Sequence, residues 1–322
     1  MKSSRKVLGV SRGNPHKIHE AWMDSVGEIK TLPNYETSGI LSVLRYFLLG
    51  LRNVDADVVI CEDGLSTAAG ISMKIKSLLK GREIKVLRIF ADKGVHDSII
   101  KGRRFTKEWI GYRFLDGGIA VSEMTRKEAE ENYNLSVESV FPFVPEMEKY
   151  KEFVPDNYSS KNVLCIGSGV QFKNLDSLAE AVKGLDVTLH LVGNHDKQYS
   201  QDNVVTHGWV EDLTDVMEKC DLYVQSSTYE AFGVAPCEAM AAGIPAIVTD
   251  KTGCRPFVEE VDPELVTEGS APQDIREKIE YYYSLSEEER EDRGRKARQA
   301  VSDLTEENQV AGFRKALGRL LE

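Results

Sequence analysis

The chain has 322 residues, of which 41% are hydrophobic and 29% charged, the balance of a soluble globular protein with about two domains of ordinary size. Its formal charge of −11 is uneven: residues 1–143 carry +4 and the remainder −15, so the two halves are expected to meet different partners, and no nucleic acid is expected among them. The five cysteines show no paired spacing and no His/Cys cluster, and no apolar run approaches the roughly 18 residues of a membrane span; a disulfide scaffold, a zinc site and a transmembrane protein are excluded, and a reduced cytoplasmic setting is expected.

Lys6 to Val10 reads as a short strand entering a turn at Ser11–Pro15. A first strand ending in such a loop places it, with Gly13, at the ligand edge of an α/β sheet. Residues 40–51, ILSVLRYFLLGL, form a helix that is apolar over most of its circumference; burial inside the domain is the expectation and docking on a membrane the alternative. Asp57 to Cys61 is a buried strand, followed by a helix to about Lys80 and a strand from Lys85 to Phe90. The loop after that strand holds His96, for which plain surface is the competing reading.

Residues 99–114, IIKGRRFTKEWIGYRF, interleave Lys101, Arg103, Arg104, Lys107 and Arg113 with aromatics. A solvated helix face is the default; an anionic-lipid contact, worth about 1 kcal/mol per basic residue, and an RNA contact are the alternatives. Gly118 to Ser122, a Glu/Lys-rich helix and Val140–Phe141 close a first domain at residue 143. Residues 144–160 are charged, proline-bearing and aperiodic, and read as a linker.

Asn162 to Ile166 opens a second domain as a strand, followed by Gly167-Ser168-Gly169 and Lys173. Two thirds of a G-x-G-x-x-G fingerprint is a weak sign of NAD, so an oxidoreductase is only a distant alternative. Leu175, Leu178, Val182 and Leu185 step by three and four, a helix; Thr188 to Val192 is a strand. In His207-Gly208-Trp209-Val210, Trp209 reads as core and His207 as surface as readily as either reads as functional. Asp221 to Gln225 is a strand, Ser226 to Gly233 a loop, and the next helix tolerates Pro236 in its first turn and stops at Gly243.

Glu230 lies before that helix and Glu238 is placed in its first turn. The amides of Val234, Ala235, Cys237 and Glu238 make the helix start an anion seat, and a carboxylate accepts hydroxyl hydrogen bonds. Together they suit a nucleotide-sugar, with anion on helix and hydroxyls on glutamates. Further on, Ser286 and Glu289 form a capping box and Thr305 caps a last helix.

Glu230-x7-Glu238, with Phe232-Gly233 between, Gly243-x-Pro245 after, and Thr252-Gly253 beyond, resembles the signature of retaining glycosyltransferases of the GT-B fold, family 4. The resemblance implies two Rossmann-like, doubly wound α/β domains facing a central cleft: an acceptor-side domain over 1–143, a linker over 144–160 and a nucleotide-sugar domain over 161–304, with a helix over 305–322 packing back on the first. It implies a nucleoside diphosphate sugar donor giving a hexose-type sugar to a glycan or lipid-linked acceptor, without metal or cofactor, in the cytoplasm or peripherally at the inner face of an anionic membrane. Glu230 and the Phe232-Gly233 backbone would hold the sugar, Glu238 the ribose, Val234-Ala235 and Lys173 the diphosphate, and Gly208, Trp209 and Val210 the base. Glu230, Lys173 and His96 would form the catalytic set, and Gly13, Gly167, Ser168 and Gly169 would line the donor. The family's arginine after the first glycine is replaced by Ser168, with Arg255 the cation considered in its place. That departure leaves room for a non-catalytic sugar-nucleotide-binding protein; a GT-B epimerase is a further alternative.

Overall fold

The computed structural model describes residues 5–35, 40–52, 55–92, 94, 96, 111–153, 155, 157–195 and 197–322. The chain divides into two compact units, Met1–Phe143 with Glu306–Glu322, and Val144–Thr305.

In the first unit the order is β1 (Val7–Arg12), α1 (Lys17–Asp24), β2 (Glu28–Leu32), α2 (Ile40–Gly50), β3 (Val58–Cys61), α3 (Gly64–Leu79), β4 (Lys85–Phe90), β5 (Gly117–Ala120), α4 (Glu123–Tyr133) and β6 (Val137–Ser139). The six strands pair in parallel as β2-β1-β3-β4-β5-β6. β3 and β5 are buried along their whole length, as a parallel sheet covered on both faces requires. Helix starts follow local chemistry. Asp63 accepts from the Ser66 amide at 2.6 Å while its own amide donates to Ser66 Oγ, and Ser122 accepts from the Thr125 amide.

The second unit runs α5 (Met147–Lys151), β7 (Asn162–Ile166), a 3₁₀ turn at Gln171–Lys173, α6 (Leu175–Val182), β8 (Thr188–Val192), β9 (Val204–Gly208), α7 (Thr214–Met217), β10 (Leu222–Gln225), α8 (Val234–Ala241), β11 (Ala246–Thr249), α9 (Arg255–Val261), a 3₁₀ turn at Pro263–Leu265, β12 (Val266–Thr267), α10 (Pro272–Ser284) and α11 (Glu287–Ala300). Its sheet is again parallel and six-stranded, ordered β12-β11-β10-β7-β8-β9. The last helix, α12 (Glu306–Leu321), belongs to the first unit, where Phe313 stacks on Trp22 of α1 at 5.4 Å.

Three expectations change. Residues 144–160 are not a free linker: Tyr150 and Phe153 are buried, Arg298 donates to the carbonyls of both and of Ala242, and Arg290 donates to that of Tyr158. Trp209 is not core, being 80% exposed. Helix α2 is apolar over most of its circumference, yet the residues it buries are Ser42, Tyr46 and Gly50, while Ile40, Leu41, Leu44 and Leu48 are exposed. The reason is the closeness of α2 to α3. A Cβ on Gly50 would stand 2.1 Å from Ser72 Oγ and 2.2 Å from the Ala69 carbonyl, so no side chain fits at that point of contact; Tyr46, Val43 and Leu49 pack toward the core, and Ile40, Leu41, Leu44 and Leu48 are left outside. Among the described residues no helix is long and apolar enough to cross a membrane. The basic stretch from Lys101 to Lys107 lies outside the described residues.

Gly50→Ala should therefore force α2 and α3 apart at a cost of about 1–3 kcal/mol. Thermal unfolding should show a lowered transition; an unchanged melt would mean the helices do not meet this closely.

Candidate active site

The second unit's site grows from loops at the carboxyl ends of its strands, where a doubly wound sheet leaves room for ligand. After β7 the chain turns through Gly167, Ser168 and Gly169. The Gly167 amide donates to the Val192 carbonyl at 2.9 Å, and Gly193 (φ +138°) comes so close that a Cβ there would stand 2.2 Å from the Gly167 carbonyl oxygen. Ser168 and Gly169 stay exposed above this junction. Asn174, left-handed at φ 55°, closes the 3₁₀ turn and donates to the carbonyls of Ser226 (3.2 Å) and Ser270 (2.7 Å), tying together loops from three parts of the sheet.

This loop presents Lys173 to Glu230. Their side chains form an ion pair and are 20% and 18% exposed. The pair is held from both sides. The Lys173 carbonyl accepts from Ser226 Oγ, and the backbone of Glu230 bridges to the next loop, its amide donating to the Lys251 carbonyl and its carbonyl accepting from the Gly253 amide, both at 2.9 Å. Beneath the carboxylate runs a polar relay: Tyr223 hydroxyl donates to Gln225 Oε1 (2.8 Å), and Gln225 Nε2 donates to Ser227 Oγ (2.6 Å). Gln225 Nε2 and Ser227 Oγ both reach Glu230 Oε2 at 3.4 Å.

Gly233, at φ +94°, turns the chain into α8, and no side chain caps that helix start. The free first-turn amides are therefore those of Val234, Ala235 and Cys237, since Pro236 has none. The helix begins at Val234, so Glu238 lies in the second turn, not the first, and its own amide belongs inside the helix. Burial, with the charge of Glu146 nearby, pushes the Glu238 carboxyl up from 4.5 to about 7. Tyr150 of α5 faces the same charge, its hydroxyl raised by burial and by Glu238.

One comparison falls on this unit, and others extend beyond it. Residues 146–300 match the family model described as Glycosyl transferases group 1. The second unit is a group 1 glycosyltransferase domain. A curated relative, an uncharacterized glycosyltransferase of Methanocaldococcus jannaschii, is 27% identical over 232 residues, 69% of this chain and 64% of that protein, so the match spans less than two thirds of the relative. Among solved structures, sucrose-phosphate synthase from Thermosynechococcus elongatus has a TM-score of 0.74 at 15% identity, covering 98% of this chain and 99% of that one. Anabaena Alr3699/HepE in complex with UDP and glucose has 0.70 at 16%, covering 98% and 100%. At these identities the neighbours establish the fold, which is that of the GT-B glycosyltransferases.

Within the glycosyltransferase domain the structure brings Gly167, Ser168, Gly169, Lys173, Glu230, Phe232, Gly233, Val234, Ala235 and Glu238 to loops and helix start at the carboxyl edge of one sheet. Gly208 (φ +67°) ends β9, the last strand on one side of that sheet, followed by Trp209 and Val210. His207 is exposed, as the surface reading has it, and its Nε2 lies 2.9 Å from Nδ1 of His190, whose ring burial holds at about 4. Arg255 pairs with Glu259 at 2.7 Å on α9. Gly13 (φ +64°) and His96 belong to the first unit, where Nδ1 of His96 lies 3.0 Å from Glu128 Oε1. Asn174, Gln225 and Ser227 escaped notice, because amides and hydroxyls in loops carry no periodic or spacing signal. Among the described residues no group of three or more His, Cys, Asp or Glu is placed to hold a metal ion.

A carboxyl raised on folding stabilises the fold below its unfolded value near 4.5, and that contribution is lost as pH rises through about 7. Glu238→Gln has no such loss. Its melting temperature should gain on the native chain between about pH 5 and pH 7 and hold the difference above. A difference independent of pH would show that Glu238 titrates normally.

Proposed function

We propose that the chain is a retaining, metal-independent glycosyltransferase that moves a hexose-type sugar from a nucleoside diphosphate sugar to a hydroxylated acceptor, a glycan or a lipid-linked one. The observation that carries the proposal is the Lys173–Glu230 pair beside the uncapped start of α8, inside the region that matches the family. A neighbour of the same fold holds UDP and glucose.

In this proposal the donor diphosphate lies over the amides of Val234, Ala235 and Cys237, where the helix dipole and free N–H groups favour an anion. Lys173 turns from Glu230 toward the phosphates as a mobile point charge. Glu230 and the Phe232–Gly233 backbone take the sugar's hydroxyls, Glu238 the ribose, and the Gly208–Val210 backbone the base. Gly13 and His96 belong to the acceptor's unit. As the glycosidic bond breaks, negative charge grows on the departing diphosphate, and preorganised amides with Lys173 stabilise it; this electrostatic term is the main source of rate. The leaving phosphate accepts the acceptor's proton on the same face, which preserves the anomeric configuration.

A second reading, sugar-nucleotide binding without transfer, is favoured by one feature: Ser168 replaces the family's arginine, and Arg255 is engaged by Glu259. Incubation with a panel of sugar nucleotides, followed by detection of free nucleoside diphosphate, separates the two. Transfer predicts release that Glu230→Gln lowers by about a hundredfold or more while nucleotide binding persists. Binding without release supports the second reading, and unchanged turnover in Glu230→Gln removes that residue from its role.

A further inference from the structure

The first unit holds a cavity of about 660 Å³ at the carboxyl ends of β1, β3 and β4, the edge where an open α/β sheet receives ligands. Its volume lies in the range of small-molecule sites. One wall is a helical stripe of α2, Ile40, Val43, Leu44 and Phe47, and the stripe is completed by Ile71 of α3 and by Phe114. Ile40 and Leu44 are 73% and 52% exposed, so this wall is open rather than sealed in the core.

The other end is polar. Arg12 pairs with Asp63 at 3.2 Å, Asp63 having turned its second oxygen to cap α3. The buried Arg88 donates to Asp92 at 2.9 Å and to the Tyr112 hydroxyl. Asp63, Asp92 and Tyr112 line the cavity. Two guanidinium groups and two carboxylates cancel, so this end offers acceptors and donors without net charge. Such a set suits hydroxyls rather than a bare phosphate. A wholly hydrophilic glycan would leave its hydroxyls unpaired against the apolar wall, which costs free energy.

We propose, building on the transferase activity proposed above, that the acceptor is a single amphipathic lipid with a hydroxylated head. Its chain lies along Ile40, Val43, Leu44 and Phe47, and its head meets Arg12, Asp63 and Asp92. The exposed outer residue Leu48 takes no part, because it lies outside the cavity.

The test needs no donor. Butyl, hexyl and octyl glucosides, kept below micelle formation, are titrated into the full chain by calorimetry. Affinity should rise along the series by up to about fourfold per methylene, the order expected for burying a CH₂ group. Leu44→Asp should flatten that rise and Leu48→Asp should not. Ile40→Asp, at the more exposed end of the stripe, should repeat the loss should Leu44→Asp fail to fold. A series without chain-length dependence overturns the proposal. So does equal loss in the Leu44 and Leu48 variants, which would mean that a bilayer surface or a second copy of the chain covers α2. An intact rise without any nucleoside diphosphate release supports the lipid site and counts against the transferase reading alone. A flat series with sugar transfer to a soluble glycan does the reverse.

Discussion

The ion pair between Lys173 and Glu230 joins the loop after β7 to the loop after β10, and the candidate site is arranged around it. A partly enclosed pair of this kind resists losing one partner, because the survivor would be left as an uncompensated charge. The surrounding scaffold follows from that constraint. Asn174 and Ser226 fasten the lysine's loop, the Glu230–Thr252 bridge fastens the glutamate's, and Gln225 with Ser227 supplies further donors to the carboxylate. A ligand bearing both an anion and hydroxyls can satisfy each member separately, so such a ligand is one that can open the pair without stranding a charge.

Glu238 shows how differently the same side chain behaves one helix turn away from that arrangement. It has Glu146 for a neighbour rather than a cation, and burial dominates. Tyr223 lies between the two situations, its hydroxyl raised by burial and by the charges of both Glu230 and Glu238. Two acidic residues eight positions apart thus occupy electrostatically distinct surroundings on one edge of one sheet.

In the first unit the governing constraint is steric. Gly50 and the small residues of α3 bring two helices close together, and α2 leaves Ile40, Leu41, Leu44 and Leu48 outside the core. The apolar wall of the cavity is the consequence, and it stands beside ion pairs that close the sheet's carboxyl edge. The cavity's two-sided character is therefore a product of how α2 meets α3 as much as of composition.

Much of this was legible in the chain alone. Strand boundaries at Lys85–Phe90, Asn162–Ile166 and Thr188–Val192, the helix between Gly233 and Gly243, and the Ser286–Glu289 box all depend on neighbours in sequence, so local pattern sufficed. The ordered glutamates, glycines and proline of the Glu230–Gly253 stretch pointed to the family for the same reason. Tertiary structure decided the rest. It moved Glu238 into the second turn, set Trp209 outside the core, fastened residues 144–160 through Arg290 and Arg298, and left Ile40, Leu41, Leu44 and Leu48 of α2 exposed. Each depends on a contact between residues far apart in the chain, such as Gly50 with Ala69 or Lys173 with Glu230, and the approach of two distant backbones leaves no periodic mark on either.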